Sequence, residues 1–100
     1  MHLLIVEFDL QGVGAREYEA IADDLTPTFA AVPGLLTKTW IADEATGVAG
    51  GVYVWADAAA CDAYVTGELF ASMLANPALR NLRTRRYDVV GVTAPEPAAA

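Results

Sequence analysis

The sequence predicts an α+β fold of the ferredoxin-like kind, βαββαβ, in which a four-stranded antiparallel sheet carries its helices on one face. Three observations lead there. Strand-like and helix-like stretches follow one another as strand, helix, strand, strand, helix, strand. The stretch "KTWIADEATGVAGGVYVW" (38–55) reads as two alternating runs joined by a short polar turn, a hairpin in the middle of the chain. The chain has 100 residues, with no solenoid-type repeat and no linker, which suits one domain. That domain is assigned to 1–93, and the Ala- and Pro-rich end, 94–100, to a flexible tail.

Residues 2–9 form the first strand, with Ile5, Val6 and Phe8 favouring extended backbone. "QGVG" (11–14) breaks it. From Ala15 to Val32 apolar residues recur at helical intervals (Tyr18, Ile21, Ala22, Leu25, Phe29), with Glu17, Glu19, Asp23 and Asp24 mostly off that stripe. Pro27 removes a backbone donor and crowds the preceding turn, so this helix is expected to bend there, and Pro33-Gly34 ends it. "LLTKTWIA" (35–42) and "VAGGVYVWA" (48–56) are the hairpin arms. With Glu44–Gly47 as the turn, Ile41 faces Gly50, Trp40 faces Gly51 and Lys38 faces Tyr53. One face then carries Leu36, Lys38, Trp40, Gly51, Tyr53 and Trp55, and a one-residue slip would exchange it for the other. Asp57 caps a helix over "AAACDAYVTGELF", with Ala60, Cys61, Tyr64 and Val65 inward and a break at Gly67. A short helical turn around Leu69–Leu74 follows, then a last strand, "RNLRTRRYDVVGV", with Arg83, Arg85, Tyr87 and Val89 on one side.

Composition narrows the function. A net charge of -7 and a pI near 4.3 argue against a nucleic-acid partner, which needs a basic surface for its phosphates. The apolar start is too short for a membrane span and lacks a cationic lead, which places the chain in the cytoplasm and off the membrane. Cys61 has no partner for an intramolecular disulfide and His2 is the only histidine, so no metal site is expected. His2, beside the terminus, reads as a frayed, solvated imidazole. Apolar residues make up 55% of the chain and mean hydropathy is +0.34. Alanine accounts for part of that excess, and a surface covered by a second copy of the chain is the other reading.

The set Leu25-x-Pro27, Pro33-Gly34, Lys38-x-Trp40, Gly50-Gly51-x-Tyr53 and Tyr64 resembles the YdhR-like mono-oxygenase family. This is a branch of the dimeric α+β barrel group that includes the antibiotic-biosynthesis monooxygenases. The likeness runs from about Leu25 to Asp88 and is strongest across residues 33–64. It implies a homodimer in which two sheets form a barrel with the helices outside. It also implies oxidation of a small aromatic or polyketide-like compound by molecular oxygen, with neither metal nor flavin, so no cofactor. Two rivals stand beside it: an isomerase or cyclase using the same pocket for proton transfer, and a dimeric binding module without chemistry.

Oxygen chemistry of this kind needs an apolar pocket, a base, and a group that stabilises the substrate anion. Lys38, Tyr53 and Tyr64 are the catalytic candidates; Trp40, Trp55, Gly51 and Arg85 are the substrate-binding ones. Lys38 either stabilises a phenolate or, with its pKa lowered by burial, accepts a proton; otherwise it is a solvated lysine whose stem covers Trp40. The tryptophans either stack on a planar ligand or fill the core. The tyrosines either donate to a substrate oxygen or satisfy their hydroxyls on backbone. Gly51, opposite Trp40, leaves room over the indole, either for a cavity or for the ring to pack on the glycine. Arg85 belongs to a cluster with Arg80, Arg83 and Arg86 that protects a sheet edge, anchors an anion, or forms an ion-pair seam with a partner subunit.

Overall fold

The computed structural model describes residues 1–95. Its elements are β1 (His2–Leu10), α1 (Ala15–Ala30), β2 (Leu35–Asp43), β3 (Val48–Trp55), α2 (Ala58–Val65), α3 (Glu68–Leu74) and β4 (Leu79–Asp88). The sheet order is β2-β3-β1-β4, with every neighbouring pair antiparallel. This is the ferredoxin-like α+β arrangement the sequence predicts. The second helical region is two helices divided at Gly67, and the expected turn around Leu69–Leu74 is a complete short helix. Of the tail expected from 94 onward, residues 96–100 lie outside the described residues.

The hairpin register is the expected one: Lys38 opposite Tyr53, Trp40 opposite Gly51 and Ile41 opposite Gly50. Gly47 takes the left-handed φ of +72° that closes its turn, and Asp43 accepts the Ala45 amide at 3.0 Å. One position departs. A bulge between Leu35 and Thr37 sets Leu35 opposite Trp55 and turns Leu36 out to solvent, so Leu35, not Leu36, joins the buried face.

All three helices pack on a single face of the sheet, and strand alternation decides what lies beneath them. On β1, Leu4, Val6 and Phe8 point inward; on β3, Ala49, Tyr53 and Trp55 do. Helix α1 presents Tyr18, Ala22 and Phe29, spaced for one stripe, and α2 presents Cys61 and Tyr64. Helix α1 ends at Ala30, two residues before the expected Val32, and runs unbroken through Pro27. Pro27 sits on the exposed side, where the Asp23 carbonyl that loses its amide partner faces water. Helix α2 starts as expected, with the Asp57 carboxylate accepting the Ala60 amide at 2.8 Å.

The inner face is built from rings. Tyr53 and Trp55 stack with planes 4° apart, and Tyr64 tilts against both. Phe29 meets Trp40, Tyr53 and Tyr64, and Tyr18 meets Phe8 and Trp40. Such pairs contribute about 1 kcal/mol each beyond the apolar area they bury.

The opposite face carries Leu3, Ile5, Val52, Val54, Ile41 and Tyr87, and no helix covers it. Strand β4 is an edge strand and ends at Asp88, leaving Val89 beyond it. Two of its arginines pair across to β1: Arg83 with Asp9 at 3.1 Å and Arg85 with Glu7 at 3.8 Å. His2 is not frayed. It is buried, with Nδ1 2.8 Å from the Asp88 carboxylate and Nε2 accepting from Arg86 Nε at 3.1 Å. Pairing of both β3 and β4 with β1 holds this terminus inside the sheet.

Candidate functional site

Between the sheet and helices α1 and α3 lies a cavity of about 180 Å³. Phe8, Gly50, Tyr53, Lys38 and Trp40 form its floor, Tyr18, Leu25 and Phe29 one wall, and Leu69, Ser72 and Met73 the other. Each wall follows from local sequence. The helical spacing of α1 turns Tyr18, Leu25 and Phe29 inward and leaves Ile21 at the exposed rim, and after the break at Gly67 α3 packs on β4.

Lys38 gives the site its chemistry. It is the only lysine of the chain, and its Nζ lies 3.2 Å from the centre of the Phe29 ring, 3.4 Å from that of Trp40 and 4.7 Å from that of Tyr53. Among the described residues no carboxylate comes within ion-pair distance of it. Burial lowers its pKa to about 7, because the ammonium loses water that no anion replaces. The three aromatic faces act in the other direction, since their quadrupoles favour the cation. Lys38 is therefore not a solvated lysine on the outside of the sheet.

Gly51 explains how the side chain gets there. A Cβ at this position would lie 3.0 Å from Lys38 Cε and 3.1 Å from the Tyr53 ring. The room over the glycine, expected to be open above the Trp40 indole, is filled by the lysine stem. Gly50 lets α1 approach: its carbonyl accepts from the Tyr18 hydroxyl at 2.8 Å, and a Cβ there would overlap the Val6 carbonyl.

The phenols form a graded set. Tyr18 borders the cavity and has its pKa pushed up to about 12 by burial. Tyr53 borders it too, with its hydroxyl 3.1 Å from that of Tyr64, which in turn donates to Met73 Sδ at 3.4 Å. Burial raises the pKa of Tyr53, and the neighbouring Tyr64 adds to the shift; Tyr64 itself is pushed up to about 12, mainly by burial. All three are neutral hydrogen-bonding groups near neutral pH.

The structure thus brings Lys38, Trp40 and Tyr53 to the cavity and sets Tyr64 and Gly51 directly behind them. Trp55 lies in the core, fully buried and stacked on Tyr53, with its indole N–H lacking a partner among the described residues. Arg85 is on the other face of the sheet, so it does not share this cavity. Tyr18, Phe29, Leu69, Ser72 and Met73 complete the lining and were not among the sequence candidates. The helical stripe marks Tyr18 and Phe29 as buried. No sequence signal shows that the stripe stops short of the sheet and leaves a hollow. Cys61 is buried, as expected of a small apolar residue, and burial raises its thiol pKa.

Among the described residues no cluster of three or more His, Cys, Asp or Glu is arranged to hold a metal, and no helix is long and apolar enough to cross a membrane.

The fold recurs in several solved structures. The NE2512 protein of unknown function from Nitrosomonas europaea is 18% identical, with 94% of this chain and 93% of that one covered and a TM-score of 0.75. The heme-degrader MhuD from Mycobacterium tuberculosis, with two hemes bound in its active site, is 17% identical, with 94% and 100% covered and a TM-score of 0.74. A variant of SnoaB, a cofactor-independent oxygenase from Streptomyces nogalater, is 18% identical, with 91% and 94% covered and a TM-score of 0.69. Identities this low show a shared fold only. No curated protein sequence matches the chain. The family described as "Putative mono-oxygenase ydhR" matches residues 3–95, which take in all three helices and the sheet apart from His2. The chain belongs to that family.

Proposed function

We propose that the chain is a monooxygenase that oxidises a small aromatic or polyketide-like compound with molecular oxygen, without a cofactor, in the cavity under α1 and α3. One observation carries the proposal: the only lysine of the sequence ends in an aromatic-walled hollow, with no carboxylate among the described residues within ion-pair distance. Direct reaction of triplet oxygen with a closed-shell molecule is spin-restricted. A deprotonated phenol or anthrone-like compound escapes that restriction by giving one electron to oxygen; the resulting substrate radical and superoxide combine into a peroxide anion, which takes up the proton first removed from the substrate, and the hydroperoxide then loses water to leave a carbonyl. The substrate takes the part a cofactor would otherwise play.

Lys38 suits both demands of that chemistry. With a pKa near 7 it removes the substrate proton as a neutral amine, and the ammonium it becomes then faces the substrate anion. Trp40 offers a stacking surface, and Tyr18 and Tyr53 offer hydroxyls to a substrate oxygen. Tyr64 is a positioning residue acting through Tyr53, Gly51 makes room for the Lys38 stem, and Trp55 backs the Tyr53 ring from the core. Size limits the guest. An apolar hollow of about 150 Å³ takes up benzene, so 180 Å³ suits a single ring better than a fused tricycle. A haem-sized ligand is disfavoured further because the sole imidazole, His2, is held by Asp88 and Arg86 at the opposite end of β1.

The test follows oxygen. A small phenol or anthrone-type panel is incubated with isotopically labelled oxygen in chelator-treated buffer, and products are read by mass spectrometry. One labelled atom in the product is the expected result. An isomerised, unlabelled product would favour proton-transfer chemistry, and tight binding of an unchanged ligand would leave a binding module. Lys38→Met is expected to lower the rate roughly 100-fold, the scale of a lost general base. Trp40→Ala is expected to weaken binding or turnover more than Arg80→Ala, because Arg80 points away from the cavity.

We also propose that two copies pair through the uncovered apolar sheet face, and that the protein acts in the cytoplasm. The half-buried aliphatic stripe of Ile5, Val52 and Val54, which no helix covers, supports the pairing.

A further inference from the structure

We infer that Lys38 is an imine-forming lysine, its amine condensing with an uncharged aldehyde or ketone held in the aromatic cavity. The inference rests on the same cavity as the proposed oxygenation but on none of the oxygen chemistry. It makes Lys38 a covalent nucleophile toward a carbonyl substrate or regulator.

Three features point there. First, the amine is unengaged: among the described residues it has neither a carboxylate nor a hydrogen-bond acceptor, and rings are its nearest neighbours. A lysine kept inside a protein for structural reasons has its charge paired, because an unpaired buried ammonium costs several kcal/mol. Second, it is reachable. Lys38, Phe29 and Trp40 border the cavity under α1 and α3 and also a second hollow of about 290 Å³ between α1 and β2, beside Thr26 and Leu36. Lys38 thus stands between the two hollows, bordering both. Third, the lining is mostly apolar, with Tyr18, Tyr53, Ser72 and Asn76 as its neutral polar groups, and among the described residues it holds no cation besides Lys38, so it favours an uncharged guest with a polar atom over a carboxylate or phosphate. Burial that keeps the amine unprotonated near neutral pH supports the same reading. The titratable groups facing it are Tyr18 from α1 and Tyr53 from β3, with Tyr64 behind, all phenols held neutral by burial.

The step balances without a co-reactant. The nitrogen lone pair forms a C–N bond as the carbonyl π pair moves to oxygen, which takes a proton while nitrogen gives one up. The resulting carbinolamine then expels its hydroxyl as water, assisted by a proton from a cavity phenol or solvent, leaving C=N. No atom changes hands with a cofactor and nothing is oxidised or reduced.

Benzaldehyde, with a ring the size of the cavity, is the probe, and sodium cyanoborohydride at neutral pH fixes any imine as a benzyl amine. The full chain is treated, digested and mapped by mass spectrometry. Because Lys38 is the only lysine, the α-amino group is the one internal comparator. An ordinary lysine amine is protonated about a thousandfold over at pH 7.4, so Lys38 is expected to label at least about 10-fold faster than N-acetyl-lysine under the same conditions. The rate should rise through a midpoint near pH 7. Labelling no faster than N-acetyl-lysine, or a benzyl group on the α-amine alone, overturns the inference. Lys38→Arg keeps the cation and is expected to abolish the adduct; the wild-type map decides the matter if that variant does not fold. Labelled oxygen entering a product while Lys38 forms no adduct sinks this inference and leaves the oxygenase; a Lys38 adduct with no oxygen uptake does the reverse.

Discussion

Lys38 links the chemistry of the site to the stability of the fold. In the folded chain it releases its proton near pH 7, and in the unfolded chain near the ordinary 10.5. Between those values the unfolded state binds more protons, so this residue makes stability climb as pH rises from 7; below 7 both states are protonated and its contribution is gone. The buried phenols act oppositely above about pH 10, where they ionise only on unfolding. Urea titrations between pH 6 and 9 are therefore expected to show wild-type stability rising by roughly 2 kcal/mol, and Lys38→Met should flatten that slope. A wild-type curve as flat as the variant's would mean the amine keeps its proton in the fold. Tyr18→Phe leaves the Gly50 carbonyl short of a donor, and should cost about 1–2 kcal/mol in the same measurement.

At the scale of elements, the hairpin and α1 depend on glycines that fix how closely they approach their neighbours. Gly34 has a φ of +77°, and a Cβ there would overlap the side chain of Ala60 at the start of α2. Gly34→Ala combines backbone strain with a clash, and thermal unfolding should show a loss of about 2–3 kcal/mol. Gly12→Ala is its control: its φ is +73° but nothing lies within reach of a Cβ, so the loss should be about 1 kcal/mol. Equal losses would show that strain alone matters at the α1–β2 turn. The hairpin also shows how far alternation can be read. Its register was legible because one face holds large rings and the other β-branched residues. The bulge at Leu36 was not, because a local kink leaves the rest of the pattern unchanged.

Over the whole molecule, the helices cover one face of the sheet and leave the other aliphatic. Pairing of two copies through that face predicts a mass near twice 10.6 kDa in light scattering, and Val52→Asp should return it to one chain. A wild-type monomer would remove the reason for the bare face. The charged clusters lie at the margins of this surface: Arg83 with Asp9 and Arg85 with Glu7 on the outer side, and Arg86 turned inward to His2 and Asp62. These exposed pairs contribute little to stability individually. Their position along edge strand β4 suits protection against uncontrolled pairing.

The sequence by itself determined the order of elements, the hairpin register, the helix stripes and the family, because side-chain periodicity and turn residues act over a few positions and are written locally. It also marked Lys38, Trp40 and Tyr53 as one face. Only the tertiary structure decided which of the rings packed solidly and which bordered a hollow. Trp55 and Trp40 sit on the same face of the same hairpin, yet Trp55 is sealed beneath α2 while Trp40 meets open space. That difference depends on the distance at which α1 and α3 settle over the sheet, a sum of many contacts between residues far apart in the chain. The same sum buried the lysine among aromatic rings, away from every carboxylate of the described residues, and so gave an ordinary amine its chemistry.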